Sequence, residues 1–243
     1  MRLIFIRHAE PDYEKKSLTP KGFQEAQALS QRVKNWDVDT FYTSPLPRTK
    51  LTAEPSLKAL GREAIELPWL KEFSYYVKDP TTGAYPKIPW DFMPEWWTKQ
   101  EGFYDRLEWY KEPIFQENEG YEPAVFAMRE GLDGILAEHG YFREGGLYRT
   151  DDEMVAGDDE KTLVFFGHLG ANFEAIGYLL GISPIVLQQT FFLAPTAVSV
   201  LHAEKRRPKA AMFRAQVIGC TKHLTENGEA ISGQGAFSKI FQL

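Results

Sequence analysis

The chain is poor in cysteine, has no surplus of positive charge and contains no long apolar run, and each shortage removes a class of function. Cys220 is the single cysteine, so no intramolecular disulfide can form and a disulfide-stapled fold is excluded. Lys and Arg number 28 against 34 Asp and Glu, a formal net charge of −6. A general nucleic-acid or anionic-membrane binder needs a basic face, so neither partner is expected, and any anion site must be a local concentration of cations. No stretch approaches the roughly 20 apolar residues that span a bilayer, and the first residues are too short and too polar for a secretory leader. These features predict a soluble, cytoplasmic protein. With 243 residues the chain can form a large α/β core carrying a substantial insertion, and it can bury ample apolar surface.

Several short stretches stand out against this background. Leu3-Ile4-Phe5-Ile6 reads as a buried strand of the kind found inside a parallel sheet, and Arg7 and His8 follow at its carboxyl end, with Glu10 and Pro11 just beyond. Ligands in open α/β sheets bind beyond the carboxyl ends of the strands, so a cation and an imidazole there are well placed to meet an anion. Thr162 to Phe166 repeats the pattern and delivers Gly167-His168, followed by a helix from about Ala171 to Leu180. One such histidine is most simply a structural residue; two at equivalent strand ends point to chemistry.

Between them, Phe23 to Lys34 has helical spacing, with Thr19-Pro20 as cap and first turn. The strand Thr40 to Thr43 runs into Ser44-Pro45-Leu46-Pro47-Arg48, where Arg48 sits in the first turn of a second helix, a natural anion site. A third strand is expected over Glu63–Leu67, and then Glu72 lies among apolar neighbours that would raise its pKa into the range of a general acid. Residues from about 74 to 123 are rich in aromatic residues and proline; they read as irregular loops and short helices, with a helix over Glu95–Tyr110, and most of their rings are expected to pack on one another. A helix from Ala124 to His139 follows, and the acidic stretch within 145–160 reads as a solvated loop or hairpin. Ala197–His202 and Ala211–Cys220 are expected to be an antiparallel pair of strands, while His139, His202 and His223 are structural.

Taken in order, Arg7-His8-Ala9-Glu10, Leu18-Thr19-Pro20-Lys21-Gly22, Tyr42 to Thr49 with Thr52-Ala53, Leu70-Lys71-Glu72 and Gly167-His168 resemble the histidine phosphatase superfamily in its phosphoglycerate-mutase-like branch (branch 1). Thr221-Lys222-His223-Leu224 also looks like that family's C-terminal strand. The resemblance covers residues 1 to about 72 and about 124 to 225, and stops at the aromatic insertion. It implies a three-layer α/β/α sandwich around a mainly parallel sheet, as a single phosphoglycerate-mutase-like domain over 1–243 with a cap inserted at about 73–123.

The activity implied is metal-independent hydrolysis of a small phosphate ester, with no cofactor. His8 would be the nucleophile, and Arg7, Arg48 and His168 would surround the phosphoryl oxygens. Glu72 would protonate the leaving oxygen and then deprotonate water. Glu14 stands where the family often has a phosphate-binding Asn, so that contact falls to Tyr13 or Ser17, and Trp90, Trp96, Trp97 and Tyr104 would shape the leaving-group pocket. Ala9 and Leu169 replace glycines common in relatives. The alternatives are a phosphoglycerate-type mutase, from which Pro11–Thr19 lacks a characteristic Trp- and Asn-containing segment, and a non-catalytic phospholigand- or partner-binding protein, which would have no need of Glu72. The acid phosphatase and phytase branch is disfavoured, because Leu169 rather than Asp follows His168. Nothing in the sequence excludes a homodimer.

Overall fold

The computed structural model describes residues 1–242. Strand β1 (Arg2–Arg7) alternates its side chains between two buried faces, with Leu3 and Phe5 on one and Ile4 and Ile6 on the other. The short strands β2 (Pro11–Asp12) and β3 (Ser17–Leu18) then form a small separate ribbon. Helix α1 (Pro20–Val33) begins at Thr19, whose hydroxyl accepts the Gly22 N–H at 3.0 Å, with Pro20 in its first turn. Strand β4 (Thr40–Thr43), helix α2 (Pro47–Leu60) and strand β5 (Ala64–Glu66) complete the first half of the sheet. Helix α2 ends at Gly61, whose φ of 61° suits a residue without a Cβ.

Beyond β5 come the short helices α3 (Pro94–Trp97) and α4 (Pro113–Gln116), then α5 (Tyr121–Glu138), strands β6 (Tyr141–Glu144) and β7 (Leu147–Thr150), and strand β8 (Thr162–Gly167). Helices α6 (Leu169–Leu180) and α7 (Pro184–Thr190), the long strands β9 (Val198–Arg207) and β10 (Ala210–Cys220), and helix α8 (Lys222–Glu226) follow.

The strands form one sheet in the order β5-β4-β8-β1-β9-β10-β7-β6. From β5 to β1 the pairings are parallel; from β1 to β6 they are antiparallel. The sheet is therefore mixed, with its parallel half carrying both strand-end histidines. The expected antiparallel pair is present as β9 and β10.

Register explains the packing. Phe5, Phe165 and Tyr42 occupy matched positions on β1, β8 and β4 and stack at 5.0 and 4.9 Å. They belong to a core shared with α5 and α6. On the opposite face Ile4, Ile6, Val164, Phe166 and Phe41 pack against Leu29 and Val33 of α1 and Ala53 of α2. Burying each such side chain contributes roughly 1.5–3 kcal/mol, so the two faces together fix where β1 and β8 end.

Three local expectations are corrected. Glu95–Tyr110 is not one helix but α3 followed by single 3-10 turns at Glu101–Tyr104 and Trp109–Lys111, because the packing of its rings dictates this segment more than helical periodicity does. Thr221–Leu224 is no strand: β10 ends at Cys220 and the chain turns into α8. The acidic stretch is not wholly solvated, since Asp158 is buried against Tyr141 Oη (2.7 Å), Lys205 and the N-terminal amine. Two cations and a phenol offset the desolvation of that carboxylate.

Candidate active site

Strands β1 and β8 run side by side and end together. The His8 N–H donates to the Gly167 carbonyl at 2.9 Å, and the Ser44 N–H just beyond β4 donates to that of Phe166 at 3.0 Å. This brings three strand ends to one edge. The His8 and His168 rings, both buried, lie with centroids 5.2 Å apart at 62°. His8 Nδ1 is 2.7 Å from the Ala9 carbonyl. A carbonyl can only accept, so the proton sits on Nδ1 and the Nε2 lone pair is free. Ala9 is itself held, its N–H donating to Thr52 Oγ1 (2.8 Å), which donates in turn to the Arg48 carbonyl (2.6 Å).

His168 Nε2 lies 2.8 Å from Ser44 Oγ, while its Nδ1 is buried without a partner. Arg7 is buried; its Nη1 donates to the Leu193 carbonyl and its Nη2 to that of Gln234 at 3.2 Å, leaving Nε unpartnered. Arg48, in the first turn of α2, lies over the Tyr13 ring at 5.6 Å and also leaves a buried Nε unpartnered.

Burial, with the Arg7 and Arg48 guanidiniums beside it, holds the His8 pKa well below its ordinary 6.5. Burial and the same cations, together with His8, do so for His168. Both rings are therefore neutral near pH 7. Burial also lowers the Arg7 pKa, but a guanidinium stays charged.

Glu72 arrives from the loop after β5. Its Oε1 accepts the N–H groups of Phe73 and Ala171, each at 3.1 Å. Ala171 is in the first turn of α6, which has no side-chain cap of its own at His168, so Glu72 supplies that cap from 99 residues away in sequence. Burial raises the Glu72 pKa, while Arg48, these two N–H groups and Arg7 pull it down.

Arg7, His8, Arg48, Glu72 and His168, singled out from the sequence, thus share one electrostatic neighbourhood. Of the other candidates, Tyr13 is exposed beneath Arg48 and Ser17 is half-buried in β3. Trp90 lies against Gly170, where a Cβ would fall 2.6 Å from the ring and 2.9 Å from Glu72 Oε1. Trp96 packs edge-on against Phe92 (5.0 Å) and Phe103 (5.7 Å), and Trp97 faces Tyr104 at 6.5 Å. These three rings meet the aromatic segment rather than the histidines.

Ser44 escaped sequence reading because Ser-Pro signals only a turn, and the carbonyls of Leu193 and Gln234 carry no residue-type signal at all. A larger groove of about 680 Å³, between α2 and the edge strand β5, contains none of these side chains.

The histidine phosphatase superfamily (branch 1) family model matches residues 3–112. A curated relative, putative phosphoserine phosphatase 2 of Hydrogenobacter thermophilus, is 26% identical over 151 residues, covering 57% of this chain and 68% of the relative. Among solved structures, the phosphoserine phosphatase of Entamoeba histolytica in complex with phosphoserine superposes with a TM-score of 0.54 at 19% identity, covering 92% of this chain and 98% of that one. A mycobacterial glucosyl-3-phosphoglycerate phosphatase with inorganic phosphate gives 0.59 at 15% identity, covering 91% and 98%. The family match takes in Arg7, His8, Arg48 and Glu72, and the fold shared with the solved structures extends past His168: over residues 3–112 this chain is similar to the histidine phosphatase superfamily, branch 1, and over nine-tenths of its length it has the fold of these phosphatases.

Proposed function

We propose that the protein hydrolyses a small organic phosphate monoester through a phosphohistidine on His8. The observation that carries this reading is the His8 imidazole, held neutral by burial and cations, with Nδ1 committed to Ala9 and Nε2 free. In the first step Nε2 bonds to phosphorus as the bond to the leaving oxygen breaks, and Glu72 gives that oxygen its proton. In the second, water adds to phosphorus, its proton passes to Glu72, and the N–P bond breaks.

Arg7 and Arg48 hold the phosphoryl oxygens by charge-assisted hydrogen bonds. The Ser44 hydroxyl, donating to His168 Nε2, keeps a proton on Nδ1, so that the unpartnered Nδ1–H faces the phosphoryl group as a donor. The segment at about 73–123 covers the site, the reaction needs no metal, and the protein works in the cytoplasm; a homodimer is compatible with all of this. The names of the relatives, phosphoserine and glucosyl-3-phosphoglycerate phosphatases, support a small phosphate ester as substrate class.

The test is steady-state hydrolysis of p-nitrophenyl phosphate and a panel of small esters, in the presence of a chelator, by the wild type and His8→Ala. Activity that survives the chelator and is lost in the variant is expected; equal activity in both proteins would refute the phosphohistidine.

A further inference from the structure

A compact cavity of about 190 Å³ has Leu169, the first residue of α6, in its wall and is smaller than the roughly 300–1,000 Å³ of ordinary ligand pockets. Three of its wall residues tie it to the proposed reaction centre. Leu169 directly follows His168; Trp90 shares the Gly170 surface with Glu72 Oε1; and a Cβ on Gly235 would lie 3.4 Å from Arg7 Nη2. A phosphoryl group between His8 and His168 therefore has this cavity as a place for its organic part.

Three of the wall's polar side chains, Gln188, Gln189 and Asp91, present acceptors, beside the hydroxyls of Thr190, which donates to the Val186 carbonyl, and Ser238. Gln188, 4% exposed, donates from Nε2 to the Gly170 carbonyl at 3.2 Å, and its buried Oε1 has no partner. Because a carbonyl can only accept, the amide cannot be flipped, and the uncommitted atom is the oxygen. Gln189 likewise commits its Nε2 to the Pro89 carbonyl. Asp91 adds a carboxylate, and among the described residues no Lys or Arg lines the cavity. Arg7 approaches only behind Gly235, with two of its N–H groups committed to backbone carbonyls. Trp90, Phe191, Phe192 and Phe237 supply flat apolar walls.

We infer that this cavity selects a small leaving group that carries O–H or N–H donors and no carboxylate. A donor-bearing group satisfies Gln188 Oε1 and Asp91, whereas a carboxylate there meets an anion and amide oxygens with no cation to offset its desolvation. The inference rests on the phosphatase reading and separates this chain from the phosphoserine and phosphoglycerate chemistry in its relatives' names.

Two matched pairs of esters test it. Phosphoethanolamine and phosphoserine differ only by a carboxylate, and glycerol 3-phosphate and 3-phosphoglycerate differ only by the exchange of a hydroxymethyl group for one. The wild type is expected to favour the carboxylate-free member by at least about tenfold in kcat/KM in one pair or both. The pair with the larger ratio tells an ammonium leaving group from a hydroxylated one. Asp91→Lys and Gln188→Leu are each expected to shrink that ratio several-fold, and because it is a ratio, a variant that folds incompletely still reports.

Ratios at or below one in both pairs, with p-nitrophenyl phosphate still hydrolysed, overturn the selectivity and leave the phosphatase reading standing. A wild-type preference unchanged by both substitutions overturns the cavity's role. If no ester is hydrolysed, p-nitrophenyl phosphate included, the phosphatase reading itself falls and the inference falls with it.

Discussion

Replacing Glu72 by Gln separates the helix cap this side chain makes from the proton transfer proposed for it. Its Oε1 caps α6 through Ala171 and accepts from Phe73, both at 3.1 Å. A glutamine oxygen can accept both bonds, so the variant keeps the cap and loses only the titrating proton; Glu72→Ala would lose the cap as well, at a cost of about 1 kcal/mol of stability. General acid catalysis contributes roughly 10²–10⁴-fold, or about 2.7–5.4 kcal/mol of barrier, and it matters most for an alkoxide that cannot depart unprotonated. Nitrophenolate departs without that help. In rapid-mixing experiments Glu72→Gln should still release a burst of nitrophenolate approaching one equivalent per His8, followed by a steady state slowed by the same factor, because hydrolysis of phospho-His8 now lacks its base. With an alkyl ester such as glycerol 3-phosphate the burst itself should disappear. If the nitrophenolate burst and the alkyl ester's phosphorylation rate fall equally, or if neither falls, Glu72 is not the proton donor and its function is the cap alone.

Two further outcomes follow from the same framework. Glu25, fully buried, accepts the Glu10 N–H at 2.8 Å and has its pKa pushed up from 4.5 to about 7 by burial. A carboxyl raised on folding binds its proton more tightly in the native state, so its contribution is intact below pH 4.5 and is lost as pH rises to about 7. At 1.36 kcal/mol per unit, the loss is at most about 3 kcal/mol; urea unfolding at pH 4.5 and pH 8 should show it in the wild type but not in Glu25→Gln, and equal pH dependence in the two proteins would refute the assignment. Ser44→Ala removes the hydroxyl 2.8 Å from His168 Nε2 and should lower kcat/KM about 5- to 10-fold, on the order of one hydrogen bond, for nitrophenyl and alkyl esters alike, since the bond serves the phosphoryl group and not the leaving group.

What was legible in the sequence is what repeats or is fixed by local chemistry. β1 and β8 announce themselves as short apolar runs because both of their faces are buried, and a histidine stands just past the end of each. Thr19-Pro20 names a helix start by its own capping chemistry. Contacts made across long stretches of chain left no such mark. Glu72 caps a helix 99 residues away, Arg7 is held by carbonyls of Leu193 and Gln234, and Asp158 is stabilised by Lys205 and the N-terminal amine. The aromatic segment misled periodicity for a related reason: Phe92, Trp96, Phe103 and Phe115 fit one another as a cluster, and the backbone follows the rings.

The proposed site concentrates positive charge on a chain whose net charge is −6. Helices α2 and α6 begin at the edge where β4 and β8 end, so their N-terminal dipoles add to Arg7 and Arg48. That field adds to the burial that lowers the His8 and His168 pKa values, which suits a nucleophile, but it also pulls against the burial that raises the pKa of Glu72. An incoming phosphoryl dianion cancels part of the field and stands as a like charge near the carboxylate, so its arrival raises the Glu72 pKa further. On the proposed mechanism the ester would thereby help to protonate the acid that expels its leaving group. Coupling of this kind is reciprocal: inorganic phosphate should bind more tightly when Glu72 is protonated. Corrected for phosphate's own ionisation, the product inhibition constant should rise as pH passes through the Glu72 titration, by about tenfold for each unit that phosphate shifts its pKa. Glu72→Gln, which has no proton to lose, should show no such rise, and a wild-type inhibition constant as flat as the variant's would mean that the two charges do not meet.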